Sequence, residues 1–306
     1  MARGGGPGCT GRAGTGGSAG CADLGGPDDH GSREARAADP WVDFSGGREV
    51  AGRNGKIWIA SWHPDDGVVL ECGADEPGFG RAGLAERILN DGGIWVLDFP
   101  FGPPAPVAVA AGWATWRDYL QWCDSSADAT TLRDGLRGIL DEGGVRWSTR
   151  RTIDRAVEAT WFPFFEQLYR QTITGARDVH CTLAEAGADM VRILPFDANA
   201  DAGRGGAVVV EGFPGWTLRC RGLDAVGYKQ GDDAAGKQRL AIVNHLRASG
   251  IPVSDADARR AVDDAEGDAV DALVLLLAAY RTSRRTASEW LEARRLHGGM
   301  EGWFFD

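Results

Sequence analysis

Residues 266–280 read Glu-Gly-Asp-Ala-Val-Asp-Ala-Leu-Val-Leu-Leu-Leu-Ala-Ala-Tyr, and every residue from Ala272 to Ala279 is apolar. A helix over this run is apolar on all sides and must be buried against a sheet or other helices. Asp268 and Asp271 open it. They are three apart, so they share a face, one turn from each other. Asp268 has a local explanation, because acidic residues cap helix starts and suit the positive end of the dipole. Asp271 lies inside the helix and borders the apolar run. An ionised carboxylate there is costly unless something cationic meets it. A functional reading needs further carboxylates from elsewhere in the chain, converging on the same point.

The chain has 306 residues and a formal net charge of −11. That length supports a substantial core. The acidic balance argues against broad nonspecific binding to nucleic acid, which needs basic surface, but leaves room for a local basic groove. No apolar run approaches membrane-spanning length, so no membrane association is expected. The six cysteines form no Cys-x-x-Cys pair and no metal-type spacing with His. They read as buried thiols of a cytoplasmic protein. No Ser/His/Asp or Cys/His pattern stands out.

Residues 1–39 are Gly-rich and have too few large apolar side chains to offset their ordering entropy. They are expected to be a disordered tail, or the result of an early start codon, ahead of a single domain over 40–306. Order is expected from Pro40. Trp41–Phe44, Lys56–Trp62 and Val68–Cys72 read as strands of an antiparallel meander, with Ser45–Gly47 and His63–Gly67 as breaks. Leu84–Asn90 is a helix stopped by Gly92-Gly93, and Ile94–Asp98 is a strongly apolar fourth strand. Residues 103–206 read as a mainly helical insertion. It holds apolar stripes at Trp113–Leu120 and Leu132–Leu140, a helix from about Thr152 through Trp161, broken or kinked at Pro163 and continuing to Tyr169, and another over about Arg177–Gly187. Met190–Phe196 is ambiguous. Ala207–Glu211 is the fifth strand. Helices follow over 234–249 and 254–263, the latter with Ser254 as N-cap and Asp257 three residues on. After the apolar helix come a basic turn (Arg281, Arg284, Arg285), a short helix and the segment Gly302–Asp306.

The order is therefore β-β-β-α-β-α-β-α, and the fourth strand is expected to return beside the first, in parallel. Asp43 then lies on the first strand, Asp98 at the end of the fourth and Glu211 at the end of the fifth. Asp268 and Asp271 start the last helix. In open α/β sheets, sites gather at the carboxyl ends of the strands. Taken singly, an Asp after an apolar strand is as often a turn former or a cap.

At this point a resemblance becomes specific. The arrangement resembles the RNase H-like superfamily. Asp43-Phe-Ser-Gly-Gly, Leu97-Asp98-Phe-Pro, Val210-Glu211-Gly-Phe-Pro and Asp268-Ala-Val-Asp271-Ala-Leu are similar to the predicted-nuclease family known as domain of unknown function 429. Gln171–Val179 and Tyr228-Lys229 resemble it too, and Gly47 departs mildly from the Ala expected there. The last-helix motif also resembles that of Holliday-junction resolvases of the same superfamily. The resemblance spans residues 40–306. It implies an α/β fold with an RNase H-like mixed five-stranded sheet, the first three strands antiparallel and the fourth and fifth parallel to the first. It further implies a metal-dependent nuclease.

The chemistry follows from charge. Carboxylates packed together repel, and a hard divalent cation such as Mg²⁺ or Mn²⁺ relieves this with oxygen ligands and retained waters. Two ions about 4 Å apart serve phosphodiester hydrolysis. The expected catalytic and metal-binding set is drawn from Asp43, Asp98, Glu211, Asp268 and Asp271, with Asp43 as the bridging ligand, Asp98 and Asp268 or Asp271 completing the two shells, and Glu211 on a metal or orienting the water. The partner is nucleic acid, DNA or RNA. Lys229 and Arg151, with Arg155, are candidates for substrate phosphate, against the stronger reading of solvated surface or pairing with Asp154 and Glu158. Trp62, Trp113, Trp116 and Trp161 are candidates for base stacking, against core packing. Two rivals share the fold: an ATP-binding protein of the actin–Hsp70–sugar-kinase type, which needs two copies of it around a cleft, and a non-catalytic binding module.

Overall fold

Six apolar segments pair into one mixed sheet. A computed structural model of the chain describes residues 39–44 as backbone, together with 57–63, 67–76, 79–160, 162–197, 206–282 and 299–304. The strands are β1 (Asp39–Phe44), β2 (Ile57–His63), β3 (Gly67–Cys72), β4 (Ile94–Leu97), β5 (Val191–Ile193) and β6 (Ala207–Glu211), in the order β3-β2-β1-β4-β6-β5. β1, β2 and β3 form the antiparallel meander, and β4 runs parallel to β1 with Val42 opposite Leu97. β6 runs parallel to β4, and β5 to β6.

The sheet thus has six strands where the sequence reading counts five. The extra strand is the ambiguous stretch at Met190–Phe196. Three residues with Arg192 at their centre are too short to display an alternation, and β5 is an edge strand held by β6 alone. The segment between β4 and β6 is accordingly part of the sheet as well as a helical block.

The helices are α1 (Arg81–Asp91), α2 (Ala105–Ala110), α3 (Trp116–Asp124), α4 (Ala129–Glu142), α5 (Thr152–Ala156), α6 (Tyr169–Gly175), α7 (Cys181–Ala186), α8 (Pro214–Cys220), α9 (Asp233–Ala248), α10 (Asp255–Asp263) and α11 (Asp268–Thr282). A π turn, Ala176–His180, joins α6 to α7. Local chemistry sets several starts. Ser254 accepts the Asp257 N–H at 3.0 Å ahead of α10, and Thr115 with Asp118 forms a capping box ahead of α3. The long helix expected from Thr152 to Tyr169 is a correction. α5 ends after one turn, Glu158 takes a left-handed φ of 52°, and Pro163 bars a helical residue before it. The intervening aromatics fill the core from irregular backbone, with Phe164 buried.

Alternation along the strands feeds two cores. Ile57, Ile59, Trp95, Leu97, Ile193 and Val209 face the layer built by α1, α3, α4, α6 and α7. Ala60, Val68, Leu70, Val96 and Val210 face α9, α10 and α11. The apolar helix α11 packs on β1, β2 and β4 and is buried from Ala269 to Ala279, as its composition demands. Each of its Leu and Val side chains contributes about 1.5–3 kcal/mol by leaving water.

Cys72 and Cys123 are buried thiols, and Cys181 and Cys220 are half-buried. Trp116 is in the core, stacked on Phe196 at 4.1 Å, Trp113 packs on Trp122, and Trp62 packs on Tyr280. None of these three lines the site below, so core packing accounts for them. No helix among the described residues is long and apolar enough to cross a membrane. The expectations for residues 1–38, Ser45–Gly47, Trp161, the basic residues Arg284 and Arg285 and the short helix after them lie outside the described residues.

A carboxylate-lined cavity at the strand ends

β4 and β6 both deliver an acid where they leave the sheet. Asp98 directly follows β4, and Glu211 is the last residue of β6, opposite Leu97. Asp43 follows Val42, one residue beyond the Val42–Leu97 pair, so its backbone neighbours Asp98; its side chain lies outside the described residues. A cavity of about 430 Å³ opens at this edge, and Asp98, Glu211, Asp268, Asp271, Lys229 and Arg151 all line it. Four of the five acids singled out in the sequence, and both leading cation candidates, therefore line one cavity.

The amino end of α11 is built to present its acids. Asp264 takes over the capping, accepting the Ala269 N–H at 2.8 Å. Asp268 is consequently turned toward Lys229, whose Nζ lies 3.5 Å from its Oδ1. Burial pushes the Asp268 carboxyl up to about 6; Lys229 opposes this and Asp271 adds to it. The Asp271 side chain is 1 % exposed and pairs with Lys229 through Oδ2. The Tyr228 hydroxyl donates to its Oδ1 at 2.6 Å. The cost of a buried carboxylate inside an apolar helix is thus met by one ammonium and one phenol. Gly267, at φ +77°, makes this approach possible, because a Cβ there would lie 3.0 Å from Lys229 Cγ and 3.1 Å from the Tyr228 ring.

Asp98 is held through its backbone. Its carbonyl accepts from the Gln171 side chain on α6. One turn on, Gly175 lets the Phe99 ring lie where a Cβ would come within 2.6 Å. The Gln171–Val179 stretch therefore positions the residue after β4. The Asp98 charge also reaches Tyr228, whose hydroxyl is held well above its usual range by burial first and by Asp271 second.

The two oxygens of Glu211 face Arg151, with Nη2 2.7 Å from Oε1 and Nη1 donating to Oε2 at 2.8 Å. The Phe101 N–H also donates to Oε2, at 3.0 Å. Burial pushes its carboxyl up to about 6 against the pull of Arg151. Arg151 is buried, it pairs with Asp154 at 2.8 Å, and its Nη1 donates to the Glu301 carbonyl at 3.0 Å. Pairing with Asp154 is the alternative the sequence allowed, but at a buried position and not on solvated surface, and the guanidinium is spent on protein carboxylates. Glu301 fastens the carboxyl-terminal stretch below, accepting from the N–H groups of Ala105 at 2.8 Å and Thr152 at 2.7 Å. Sequence reasoning gave Gln171 no supporting role and missed Glu301, since each works across a long span of chain and through backbone atoms of its partner. Arg155 stays exposed, donating to the Arg150 carbonyl.

Among the described residues, no three carboxylate, thiol or imidazole side chains converge closely enough to share an ion. Asp268 and Asp271 supply a pair of hard oxygen donors, and an ammonium already stands between them.

These features define a mixed α/β protein with a carboxylate-lined cavity at the carboxyl ends of its parallel strands. The profile of the family described as "Protein of unknown function (DUF429)" matches residues 96–294, and the chain belongs to that family. Comparison with curated proteins and with solved structures returns no match. The matched stretch carries Asp98, Glu211, Lys229, Asp268 and Asp271.

Proposed function

We propose that this chain is a divalent-ion-dependent nuclease, hydrolysing phosphodiester bonds at the cavity, on an RNase H-like fold with one added edge strand. The observation that carries the reading is that Asp98, Asp268 and Asp271, from a strand end and a distant helix start, line one cavity. The strand order β3-β2-β1-β4-β6 and its directions support the fold reading. The described residues hold one sheet, where the ATP-binding rival needs two.

The donor set fits Mg²⁺ or Mn²⁺, which accept one or two carboxylates and keep several waters. Asp268 and Asp271 would hold one ion, and Asp98, with Asp43 on the neighbouring strand end, would hold a second. Glu211 does not fit, because Arg151 engages both of its oxygens. Ions bound there supply a nucleophilic water and neutralise charge at the leaving oxygen. The chain's own residues do the rest. Tyr228 fixes the Asp271 carboxylate through Oδ1 and turns Oδ2 outward. Gln171 fixes the strand end that carries Asp98. Arg151, Glu211 and Asp154 form a buried, charge-paired network along the cavity lining.

The test is hydrolysis of single-stranded, duplex and branched DNA and of RNA by the purified chain, with Mn²⁺ or Mg²⁺. Cleavage of at least one substrate is expected, abolished by chelation and by Asp98→Asn or Asp268→Asn. Cleavage of none, or undiminished cleavage by both variants, overturns the proposal; ion binding without any cleavage would favour a binding module.

A further inference from the structure

We propose that Lys229 is a tethered counter-ion, holding the cation position between Asp268 and Asp271 until a divalent ion displaces it. The inference rests on the ion-site reading above and adds an order of events to it.

The geometry puts the ammonium where an ion would sit. Nζ pairs with Oδ2 of Asp271 and lies 3.5 Å from Oδ1 of Asp268. Tyr228 already donates to the other oxygen of Asp271, so Oδ2 is the one presented to a cation. An ammonium seated between these two oxygens occupies the position that a divalent ion bridging them would take.

The tether is fixed at its root and movable at its tip. Arg239 Nη1 donates to the carbonyls of Tyr228 at 2.6 Å and Gln230 at 2.8 Å, clamping the backbone on both sides of Lys229. Close packing against Gly267 holds the first part of the stem. The side chain as a whole is 45 % exposed, against 1 % for Asp271. A four-carbon stem rooted in this way can swing its head toward the cavity mouth once its pairing with the two carboxylates is released.

Exchange also reverses the local charge. With the ammonium in place, two carboxylates outweigh one cation. With a divalent ion in place and the ammonium displaced but still tethered, the same groups sum to a positive charge. An anionic substrate group is then attracted by the lysine that was previously engaged. Ion binding is therefore expected to precede substrate binding, and Lys229 serves both states in turn.

Two measurements on the full chain without substrate test this. Calorimetric titration with Mn²⁺ compares wild type with Lys229→Met. Removing the competing ammonium is expected to tighten Mn²⁺ binding about tenfold, the equivalent of about 1.4 kcal/mol. In the second, wild type is acylated with a succinimidyl ester and Lys229 is followed by peptide mass spectrometry. Its modification is expected to rise several-fold on adding Mn²⁺; this arm needs no variant and decides the matter should Lys229→Met fail to fold. Equal or weaker Mn²⁺ binding by a folded Lys229→Met, or acylation that Mn²⁺ leaves unchanged, overturns the inference, as does failure of both proteins to bind Mn²⁺. Tighter binding by the variant with no hydrolysis of any nucleic acid sinks the nuclease reading and leaves this inference standing. Hydrolysis with identical Mn²⁺ binding does the opposite.

Discussion

Arg151 and Glu211 meet twice, Nη2 to Oε1 at 2.7 Å and Nη1 to Oε2 at 2.8 Å, with both side chains 1 % exposed. The same guanidinium holds Asp154, so one cation compensates two buried carboxylates. Burial and close charges make such a network costly to break from one side. Arg151→Met would leave both acids uncompensated and is expected to cost about 3–5 kcal/mol. Arg151→Lys is expected to recover only part of this, since a point charge cannot span both partners. Urea unfolding followed by circular dichroism reads both losses. A penalty for Arg151→Met under about 1 kcal/mol would mean that the pair is not a structural ion pair of the kind described.

Glycines at two places in the fold are expected to respond in opposite directions. Gly135 and Gly138 sit on the exposed face of α4, with nothing within 4 Å of where a Cβ would stand. Each Gly→Ala change there is expected to stabilise by about 0.5–1 kcal/mol through reduced entropy of the unfolded chain. Gly212 follows Glu211, and a Cβ there would lie 2.3 Å from Val96 Cγ1 and 2.5 Å from Leu275 Cδ2. Gly212→Ala is expected to destabilise by about 1–3 kcal/mol as β6 and α11 are forced apart. Thermal and chemical unfolding of the three variants check this directly.

The acids of the cavity were legible because each stands at a break in hydrophobic pattern. Asp98 and Glu211 end apolar strands, and Asp271 interrupts an apolar helix. Such breaks are visible in one dimension. What joins them was not visible. Arg151 reaches Glu211 across 60 residues, and Glu301 reaches Thr152 across 149. Side-chain pairing at that range is set by packing, and a run such as Arg151-Thr-Ile-Asp154 reads equally well as an exposed helical ion pair. β5 escaped for a related reason: three residues at an edge owe their conformation to β6 and to no periodicity of their own.

The Asp268 carboxyl, pushed up to about 6 chiefly by burial, makes stability depend on pH with a definite sign. A raised value means that the folded chain holds this proton more tightly than the unfolded chain does. The stabilisation is present in full below the ordinary carboxylate range and is lost as pH rises through about 6. Asp268→Asn removes this dependence. In chelator, the thermal midpoint of the variant relative to wild type is therefore expected to climb between about pH 4 and about pH 7. A difference that stays flat across that window would show that Asp268 titrates as an ordinary surface acid.

Tyr228→Phe isolates the hydroxyl that steadies Asp271. The O–H donates to Oδ1 at 2.6 Å, and both side chains are buried. Phenylalanine keeps the ring against Gly267, so packing is preserved while one charge-assisted hydrogen bond is lost. Asp271 is then left with Lys229 as its remaining partner among the described residues. Hydrogen bonds to charged groups contribute about 1.5–3 kcal/mol, and the variant is expected to lose that much in urea unfolding near neutral pH. Combining it with Asp271→Asn should cost less than the two single losses added, because the second change removes the charge that the hydroxyl serves. A fully additive pair would mean that the hydroxyl stabilises the fold through something other than Asp271, and Oδ2 would then have no reason to be the oxygen turned toward the cavity.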